Sequence, residues 1–476
     1  MKGIINKLVI ASSALLLFGA SDLTAQESFN LTAINATDMK AAIETGRTDA
    51  VYPAKQIVPS MAGNRKEWTI MVFMNAKNDL AQSTMLGLAG NWAEKDIAEM
   101  KKVGTTDKVN VVVEYGTTGK GSKRMLLGKT GIFSSGEEVY NEDPNADMGD
   151  YKRVIEFAKW AKTYFPAKKY MFVLWNHGSG WIDPVIKSQP AGTDLSGKGI
   201  LFDNETRNYV RTRQLGEILK QTGYVDVFVM SACLMQMAEV AYEVKDNAGL
   251  IVASEELMLT HGFDYEKLLT FMNANTGADD CQISDFFINW QRQFFAEGAS
   301  VGAVHLPLDA MAATISTLRP AALNYLPGYL DAFAGAAMRN KETEAVKAAV
   351  ADVIRFNSLD PKGDKKKMTS VYADLYDFVR ITGANARSPE TRRAADRLMS
   401  FIKSELVIRS IGINYDAENG YDYSLVGGIA INMTMKTKSP AAQLTGISET
   451  RYSDLALSKA SLWDEFVTWT DGVWRK

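Results

Sequence analysis

The sequence predicts an α/β protein, with a mostly parallel β-sheet flanked by helices and a mainly helical C-terminal region. Two observations support this fold class. Between residues 68 and 254, short apolar runs alternate with stretches of helical periodicity, which is the pattern of successive β-α-β units. After about residue 306 helical periodicity dominates, and one further strand is expected at 427–432.

The apolar runs are interpreted as buried strands because they are nearly continuous in Val, Ile, Met and Phe, as expected of a sheet covered on both faces. Five are expected, at 68–75, 109–115, 170–176, 225–230 and 250–254, with a sixth at 301–305. Two further segments, at 124–129 and 138–141, are expected to form a β-hairpin or surface strands.

Helices are predicted where apolar residues recur at intervals of three and four. Among the strands they are expected at 91–103, 150–165, 212–222 and 235–246. In the C-terminal region they are expected at 310–318, 343–356, 371–381 and 389–407. Residues 75–80, which follow the first strand, are expected to be a capping and turn segment.

The N-terminal residues resemble a secretory signal peptide. Lys2 and Lys7 precede an apolar run at 8–20, and Ala25 ends a favourable cleavage site. The run is short for a membrane span, although an uncleaved anchor helix remains an alternative. No other segment is long and apolar enough, so no membrane span is expected after signal removal. The protein is therefore expected to be secreted or periplasmic, with attachment to the cell surface left open.

Four segments are expected along the chain. Residues 26–66 are polar and contain Pro and Gly breakers, which indicates a leader or propeptide-like segment. The expected division is a signal peptide at 1–25, this leader at 26–66, an α/β domain at 67–306 and a mainly helical domain at 307–476.

Composition excludes some classes of function. The chain has 53 Lys and Arg against 56 Asp and Glu, so it lacks the basic excess of a nucleic-acid-binding protein. With 46% hydrophobic residues it can bury a large core. Two cysteines, Cys233 and Cys281, are too few for a disulfide scaffold. They could pair with each other, or one could be a reactive thiol.

Two predicted strands run directly into residues with catalytic chemistry. His177 follows the strand at 170–176, and Cys233 follows the strand at 225–230. Ligands bind at the carboxyl ends of parallel strands, so both residues are expected at the functional edge of the sheet. Taken singly, the cysteine is more often a buried small residue and the histidine a turn residue; together they favour nucleophilic catalysis.

The chemistry of this pair is that of a thiol nucleophile with an acid–base partner. A helix starting near Met235 is expected to lower the pKa of the Cys233 thiol. His177 would accept the thiol proton and return it to a leaving amine. The backbone N–H groups of Gly178 and Cys233 are the expected donors to a substrate oxyanion.

Several longer stretches carry a family resemblance. The chain resembles the clostripain-type cysteine peptidases, within the caspase-like group. The His-Gly-Ser-Gly-Trp and Ala-Cys-Leu-Met blocks, in this order and spacing, are the specific part. The matching stretches are 68–80, 174–181, 198–215, 226–244, 253–265 and 454–467.

The resemblance implies a caspase-like catalytic domain at 67–306, with His177 and Cys233 as the catalytic dyad of an endopeptidase acting on proteins or peptides. It also implies cleavage after basic residues and activation of a zymogen by internal cleavage between the two residues. The long polar loop at 182–199 is a suitable site for such cleavage, and Lys187 and Lys198 are the candidates there.

One position departs from the family pattern. Relatives that cleave after Arg or Lys carry an Asp two residues before the cysteine, and this chain has Ser231. A neutral hydroxyl cannot pair with a guanidinium group as a carboxylate can. Either Glu255 or Asp264, which follow the neighbouring strand, replaces the missing carboxylate, or the substrate residue is uncharged.

No cofactor and no metal site are expected. The histidines lack metal-ligand partners at useful spacing, and no Asp-rich calcium loop is present. Two other classes of function stay open. One is a catalytically inactive, caspase-like binding or scaffold protein. The other is a thiol acyltransferase or amidase that uses the same dyad.

Overall fold

The computed structural model describes residues 65–476 apart from ten gaps, and these described residues form one compact unit. The predicted signal peptide at 1–25 and almost all of the predicted leader at 26–66 lie outside them. The gaps within the described range are 82–83, 86–87, 90, 133, 186–198, 302–303, 309–310, 357–369, 417–419 and 437–447.

A nine-stranded mixed sheet runs through the described part of the chain. Its strands are β1 Lys66–Ala76, β2 Val109–Thr117, β3 Gly121–Leu127, β4 Glu137–Asp143, β5 Ala167–Trp175, β6 Val225–Ser231, β7 Ala248–Ala253, β8 Ala313–Leu318 and β9 Val407–Ile413. Their order is β9-β8-β7-β6-β5-β1-β2-β3-β4. The central strands from β7 to β2 pair in parallel, and antiparallel strands flank them on both sides.

Twelve α-helices are found among the described residues. Four lie between strands or follow them closely in the first half: α1 Trp92–Val103, α2 Tyr151–Tyr164, α3 Thr212–Thr222 and α4 Ala238–Val244. The others are α5 Tyr265–Ala274, α6 Asp280–Glu297, α7 Leu326–Arg339, α8 Thr343–Asp352, α9 Leu375–Asn385, α10 Pro389–Phe401, α11 Ala456–Ala460 and α12 Trp463–Arg475.

The two faces of the sheet pack against different helices because successive strand residues point to opposite sides. In β1, Ile70 and Val72 join a core with α1, α5 and α6. Met71 and Phe73 join the other core, with α2, α3, α4 and the C-terminal helices. Both faces are thus buried, as the continuous apolar strands predicted.

The central strands were well predicted, but three C-terminal predictions were wrong. Residues 310–318, predicted as a helix, contain strand β8, because this segment, which includes the β-branched residues Thr314, Ile315 and Thr317, pairs with β7 on one side and β9 on the other. The helix predicted at 389–407 ends as α10 at Phe401; a five-residue π-helix, Ile402–Leu406, then leads into β9.

The third wrong prediction concerns 371–381, where the strand Tyr372–Asp374 precedes α9 and pairs with Ala430–Asn432. The strand expected at 301–305 overlaps a separate two-stranded antiparallel sheet, Ala299–Val301 with Val304–Leu306, and is not part of the main sheet. The expected hairpin at 124–129 and 138–141 is present as β3 and β4.

Strands from both sides of the boundary predicted at 306/307 share the main sheet, since β8 and β9 extend it beyond β7. The C-terminal helices also join the core that contains Met71 and Phe73. Within the described residues, no helix has the length and apolar character needed to cross a membrane.

Candidate functional site

His177 and Cys233 lie at the same edge of the sheet. Strands β5 and β6 are parallel neighbours, and Trp175 and Ser231 form the last pair in their register. Asn176 continues this contact, because its N–H donates to the carbonyl oxygen of Ser231 at 3.3 Å. His177 lies two residues after Trp175, and Cys233 lies two residues after Ser231. The two residues therefore occupy equivalent positions beyond the ends of adjacent strands.

Gly178 brings the histidine loop against the cysteine turn. A Cβ atom at Gly178 would lie 2.3 Å from the carbonyl oxygen of Cys233 and 2.9 Å from Cγ of Met235. Only a residue without a side chain permits this approach of two backbones. The loop after β5 and the turn after β6 are therefore in direct contact beside the candidate nucleophile.

The backbone after Cys233 turns sharply. Leu234 has a φ of 63°, a left-handed conformation that a bulky residue adopts only where the surrounding structure enforces it. Its N–H donates to the carbonyl oxygen of Glu256 at 3.2 Å, which ties the turn to the segment after β7. Strained turns of this kind cluster at functional sites, where they present a side chain at the end of a strand.

The expected helix effect on the thiol is not found. Helix α4 begins at Ala238, five residues after Cys233, and not near Met235. Burial raises the pKa of the Cys233 thiol to about 11; the N–H of Met258 lowers it, and the charge of Glu256 raises it further. The expectation of a lowered thiol pKa was wrong for this state of the protein, because desolvation outweighs the hydrogen bond.

A loop after β7 covers the thiol. The N–H of Met258 donates to Sγ of Cys233 at 3.2 Å, and the carbonyl oxygen of Met258 lies 3.8 Å from the same sulfur. Both backbone groups of one residue thus contact the candidate nucleophile. The loop therefore occupies part of the space around Sγ, and Cys233 is partly buried.

Sequence reasoning missed the partner of His177. Nε2 of His177 lies 2.7 Å from Oδ1 of Asp79. Asp79 begins the short 3-10 helix Asp79–Ala81, just beyond β1, and β1 is the neighbour of β5 in the sheet. The segment 75–80, predicted as a capping and turn segment, does form a turn. The sequence contained one signal for Asp79. The first predicted strand, like the strands before His177 and Cys233, ends close to a residue with catalytic chemistry, here an acidic one.

The turn that presents Asp79 is fixed by buried polar contacts. The amide of Asn75 donates to the carbonyl oxygen of Leu201 at 2.9 Å, and that of Asn78 donates to the carbonyl oxygen of Phe202 at 2.9 Å. Nζ of Lys77 is buried and lies 2.6 Å from a carboxylate oxygen of Glu205. These contacts hold the backbone that leads into Asp79, whose own side chain stays 46% exposed.

The three residues proposed from sequence to bind substrate are found in different environments. Ser231 ends β6 and is nearly buried. Glu255 is 1% exposed and lies inside the protein, where burial and then the charge of Asp374 raise its pKa. Asp264 is the N-cap of α5 and accepts a hydrogen bond from the N–H of Lys267 at 2.8 Å.

Lys187 and Lys198, the candidate cleavage sites, lie outside the described residues. The chain on either side of 186–198 is anchored. Pro184 forms a β-bridge with Ser448, and the N–H of Gly199 donates to Oγ of Ser179 at 2.6 Å. Ser179 belongs to the loop of His177, so Gly199 contacts that loop directly.

The cysteines are not paired, since Cys233 and Cys281 are both free and Cys281 is exposed on α6. Among the described residues, no group of three or more His, Cys, Asp or Glu side chains is arranged to hold a metal ion. The chemistry available at this edge of the sheet is that of a thiol, an imidazole and a carboxylate.

Comparisons with known proteins agree with this chemistry. A family model described as the clostripain family matches residues 72–469. Clostripain from Hathewaya histolytica is 30% identical over 254 residues, which are 44% of this chain and 43% of the relative. This chain therefore matches less than half of that relative's length.

Two solved structures share the fold. One is a secreted C11 cysteine protease from Bacteroides thetaiotaomicron in complex with an irreversible peptide inhibitor, at 18% identity and a TM-score of 0.57. The other is an inactive zymogen of a C11 protease from Parabacteroides distasonis, at 18% identity and a TM-score of 0.58. Each match covers 84% of this chain and 99% of the other.

Proposed function

This chain belongs to the clostripain family, and from that premise we propose that it is a cysteine endopeptidase with Cys233 as nucleophile and His177 as acid–base group. One observation carries the proposal. The loop of His177 and the turn of Cys233 meet at the carboxyl ends of adjacent parallel strands, where a Cβ atom at Gly178 would lie 2.3 Å from the Cys233 carbonyl oxygen.

In the proposed reaction His177 takes the thiol proton and the thiolate attacks the carbonyl carbon of the scissile peptide bond. The N–H groups of Gly178 and Cys233 stabilise the oxyanion of the tetrahedral intermediate. The intermediate collapses with cleavage of the C–N bond, and His177 protonates the departing amine. Water then attacks the thioester while His177 accepts its proton, which releases the new carboxyl group and restores the thiol.

Asp79 acts on His177 in this mechanism. With Nε2–H donating to Oδ1 of Asp79 at 2.7 Å, Nδ1 is the nitrogen that exchanges a proton with the thiol. The carboxylate also offsets the positive charge that the imidazole carries between the two proton transfers. Asp79 is thus a positioning residue that contacts the acid–base group and not the substrate.

We further propose that the described conformation is a resting state. The thiol is protonated near neutral pH because its pKa is about 11, and Met258 covers it. Cleavage of the chain after Lys187 or Lys198 would break the covalent connection between Pro184, which is bridged to Ser448, and Gly199, whose N–H donates to the His177 loop at Ser179, and so permit rearrangement of the site. The signal-peptide pattern at 1–25 supports export of the protein.

Hydrolysis of a peptide library tests the proposed activity. Wild-type protein should cleave peptides, and Cys233→Ala or His177→Ala should lower turnover by several orders of magnitude while the thermal unfolding transition is retained. Cys281→Ala is the matched control and should retain activity, since Cys281 is exposed on α6 and does not belong to the turn after β6. Full activity of Cys233→Ala would refute the proposal. A folded wild type without hydrolysis would instead favour a binding or scaffold protein.

A further inference from the structure

Three polar side chains converge under Gly262, in the loop that also covers the thiol. A Cβ atom at Gly262 would lie 3.3 Å from Oδ2 of Asp96, 3.7 Å from Nε1 of Trp175 and 3.9 Å from Oγ of Ser231. These side chains come from α1, β5 and β6. Ser231 is two residues before Cys233, so this cluster lies next to the nucleophile along β6.

Asp96 is the carboxyl member of this cluster. Burial raises its pKa well above the usual range, so a basic group bound beside it would favour the ionised form. Its side chain is 0% exposed, and Nε1 of Trp175 donates to Oδ2 at 2.8 Å. No hydrogen-bond donor in the described part of the chain reaches the other oxygen, Oδ1. The ammonium group of Lys95 lies 3.7 Å from Oδ1 but only 2.5 Å from Glu99, with which it pairs. One carboxylate oxygen is thus buried without a hydrogen bond, which is costly unless a ligand completes the site.

Neighbouring hydroxyl groups make the cluster rich in acceptors. Tyr265 is buried beside Asp96 and Ser231: burial and then the charge of Asp96 raise its pKa, whereas its interaction with Ser231 lowers it. Ammonium and guanidinium groups carry several donors and no acceptor, so a site of this composition suits a basic side chain. An uncharged aliphatic side chain would leave Oδ1 of Asp96 unsatisfied.

We propose that Asp96 is the specificity-determining carboxylate of the substrate pocket and binds the Lys or Arg side chain that precedes the scissile bond. This inference rests on the proposed endopeptidase function. It places on helix α1 the negative charge that the neutral side chain of Ser231 cannot supply to a basic substrate residue. Glu255 and Asp264, the carboxylates expected from sequence to do so, instead contact Asp374 and cap α5.

The same loop lies over Asp96 and contacts the nucleophile. Met258 contacts Sγ of Cys233, and Gly262, four residues later, lies over Asp96 and Ser231. Displacement of the 257–262 segment therefore exposes the thiol and the carboxylate together. A substrate with a basic side chain gains its ion pair only in the conformation in which the nucleophile is accessible.

Paired peptides that differ only in charge test this assignment. Arginine and citrulline have nearly the same shape, so peptides with either residue before the scissile bond report the contribution of the charge. Wild type should prefer arginine by roughly 10- to 150-fold in kcat/KM, the range for a buried charge-assisted pair. Asp96→Asn keeps an acceptor for Trp175 and should reduce this ratio towards one, with citrulline cleavage nearly unchanged.

Glu94→Gln, an exposed position on the same helix, is the matched control and should keep the ratio of wild type. Ser231→Asp in the Asp96→Asn background should restore part of the preference. The assignment is overturned if wild type does not distinguish the two peptides, or if Asp264→Asn removes the preference in place of Asp96→Asn. Equal losses for both peptides in folded Asp96→Asn would also overturn it, because they indicate a purely structural role. Absence of any Cys233-dependent hydrolysis would instead reject the proposed function.

Discussion

Nε2 of His177 and Oδ1 of Asp79 lie 2.7 Å apart although 98 residues separate them in the chain. The contact crosses from the end of β5 to the end of the neighbouring strand β1. It orients the imidazole at the edge where Cys233 also lies. The carboxylate, the imidazole and the thiol thus follow three adjacent strands, β1, β5 and β6.

Replacing Asp79 tests its positioning role. Asp79→Asn should lower kcat by on the order of 10²-fold with little change in KM, because an amide can accept the same hydrogen bond without offsetting imidazolium charge. Steady-state kinetics with one good peptide substrate would measure this. Asp246→Asn, another exposed aspartate, should be silent. An unchanged kcat in Asp79→Asn would show that the contact has no role in turnover.

The raised pKa of Cys233 predicts slow alkylation of the resting protein. Since the thiol pKa is about 11, the reactive thiolate is a minor species at pH 7 and increases about tenfold per pH unit below that value. Mass spectrometry after brief iodoacetamide treatment should find Cys281, which is exposed, labelled first. Equal labelling of the two cysteines at pH 7 in uncleaved protein would contradict this prediction.

Gly178 should tolerate no side chain. Gly178→Ala brings a Cβ atom to 2.3 Å from the backbone oxygen of Cys233, so the two loops must separate and activity should fall by at least 10²-fold. Gly328→Ala is the matched control, because this glycine lies in α7 with open space around it. That variant should be as active as wild type and up to about 1 kcal/mol more stable. Comparable activity of the two variants would argue against close contact at Gly178.

If the protein cleaves itself between His177 and Cys233, purified wild type should consist of two chains and purified Cys233→Ala of one. Mass spectrometry of purified proteins should locate the break after Lys187 or Lys198, and replacing both residues by Gln should prevent it. Added wild-type enzyme should cleave Cys233→Ala at the same bonds if processing acts between molecules. An active wild type that remains a single chain would refute a requirement for processing.

The buried carboxyl group of Glu239 should make the free energy of unfolding depend on pH. Its buried carboxyl group has a pKa raised to about 7 by desolvation, although it accepts hydrogen bonds from Asn432 N–H and Tyr452 Oη. Below the unfolded pKa both states are protonated; as the pH rises towards 7 the unfolded state alone loses the proton, so stability falls. Urea unfolding at pH 5 and pH 7.5 should show a smaller difference in Glu239→Gln than in wild type or in Glu465→Gln, an exposed control. If the stability of Glu239→Gln changed with pH as steeply as that of wild type, this would contradict a buried, protonated Glu239.

The central sheet could be predicted because β1, β2, β5, β6 and β7 are continuous apolar runs, a signal that is local in sequence. Strand β8 could not, since its Thr and Ser residues also fit a helical spacing and only pairing with β7 and β9 decides the conformation. The start of α4 was placed too early for a similar reason. Residues 234–237 are held instead by contacts with the segment after β7 and with Ala430.

By itself, the sequence determined which residues are the candidates for the chemistry and the strand ends on which they lie. His177 and Cys233 follow continuous apolar strands, and both lie within residues 72–469, which the clostripain family model matches. Only the tertiary structure decided what surrounds them: Asp79 at His177, Met258 over the thiol, and Asp96 under Gly262. The physical reason is that strand periodicity is a property of neighbouring residues, whereas burial, pKa and hydrogen-bond partners depend on which distant strands and loops are adjacent.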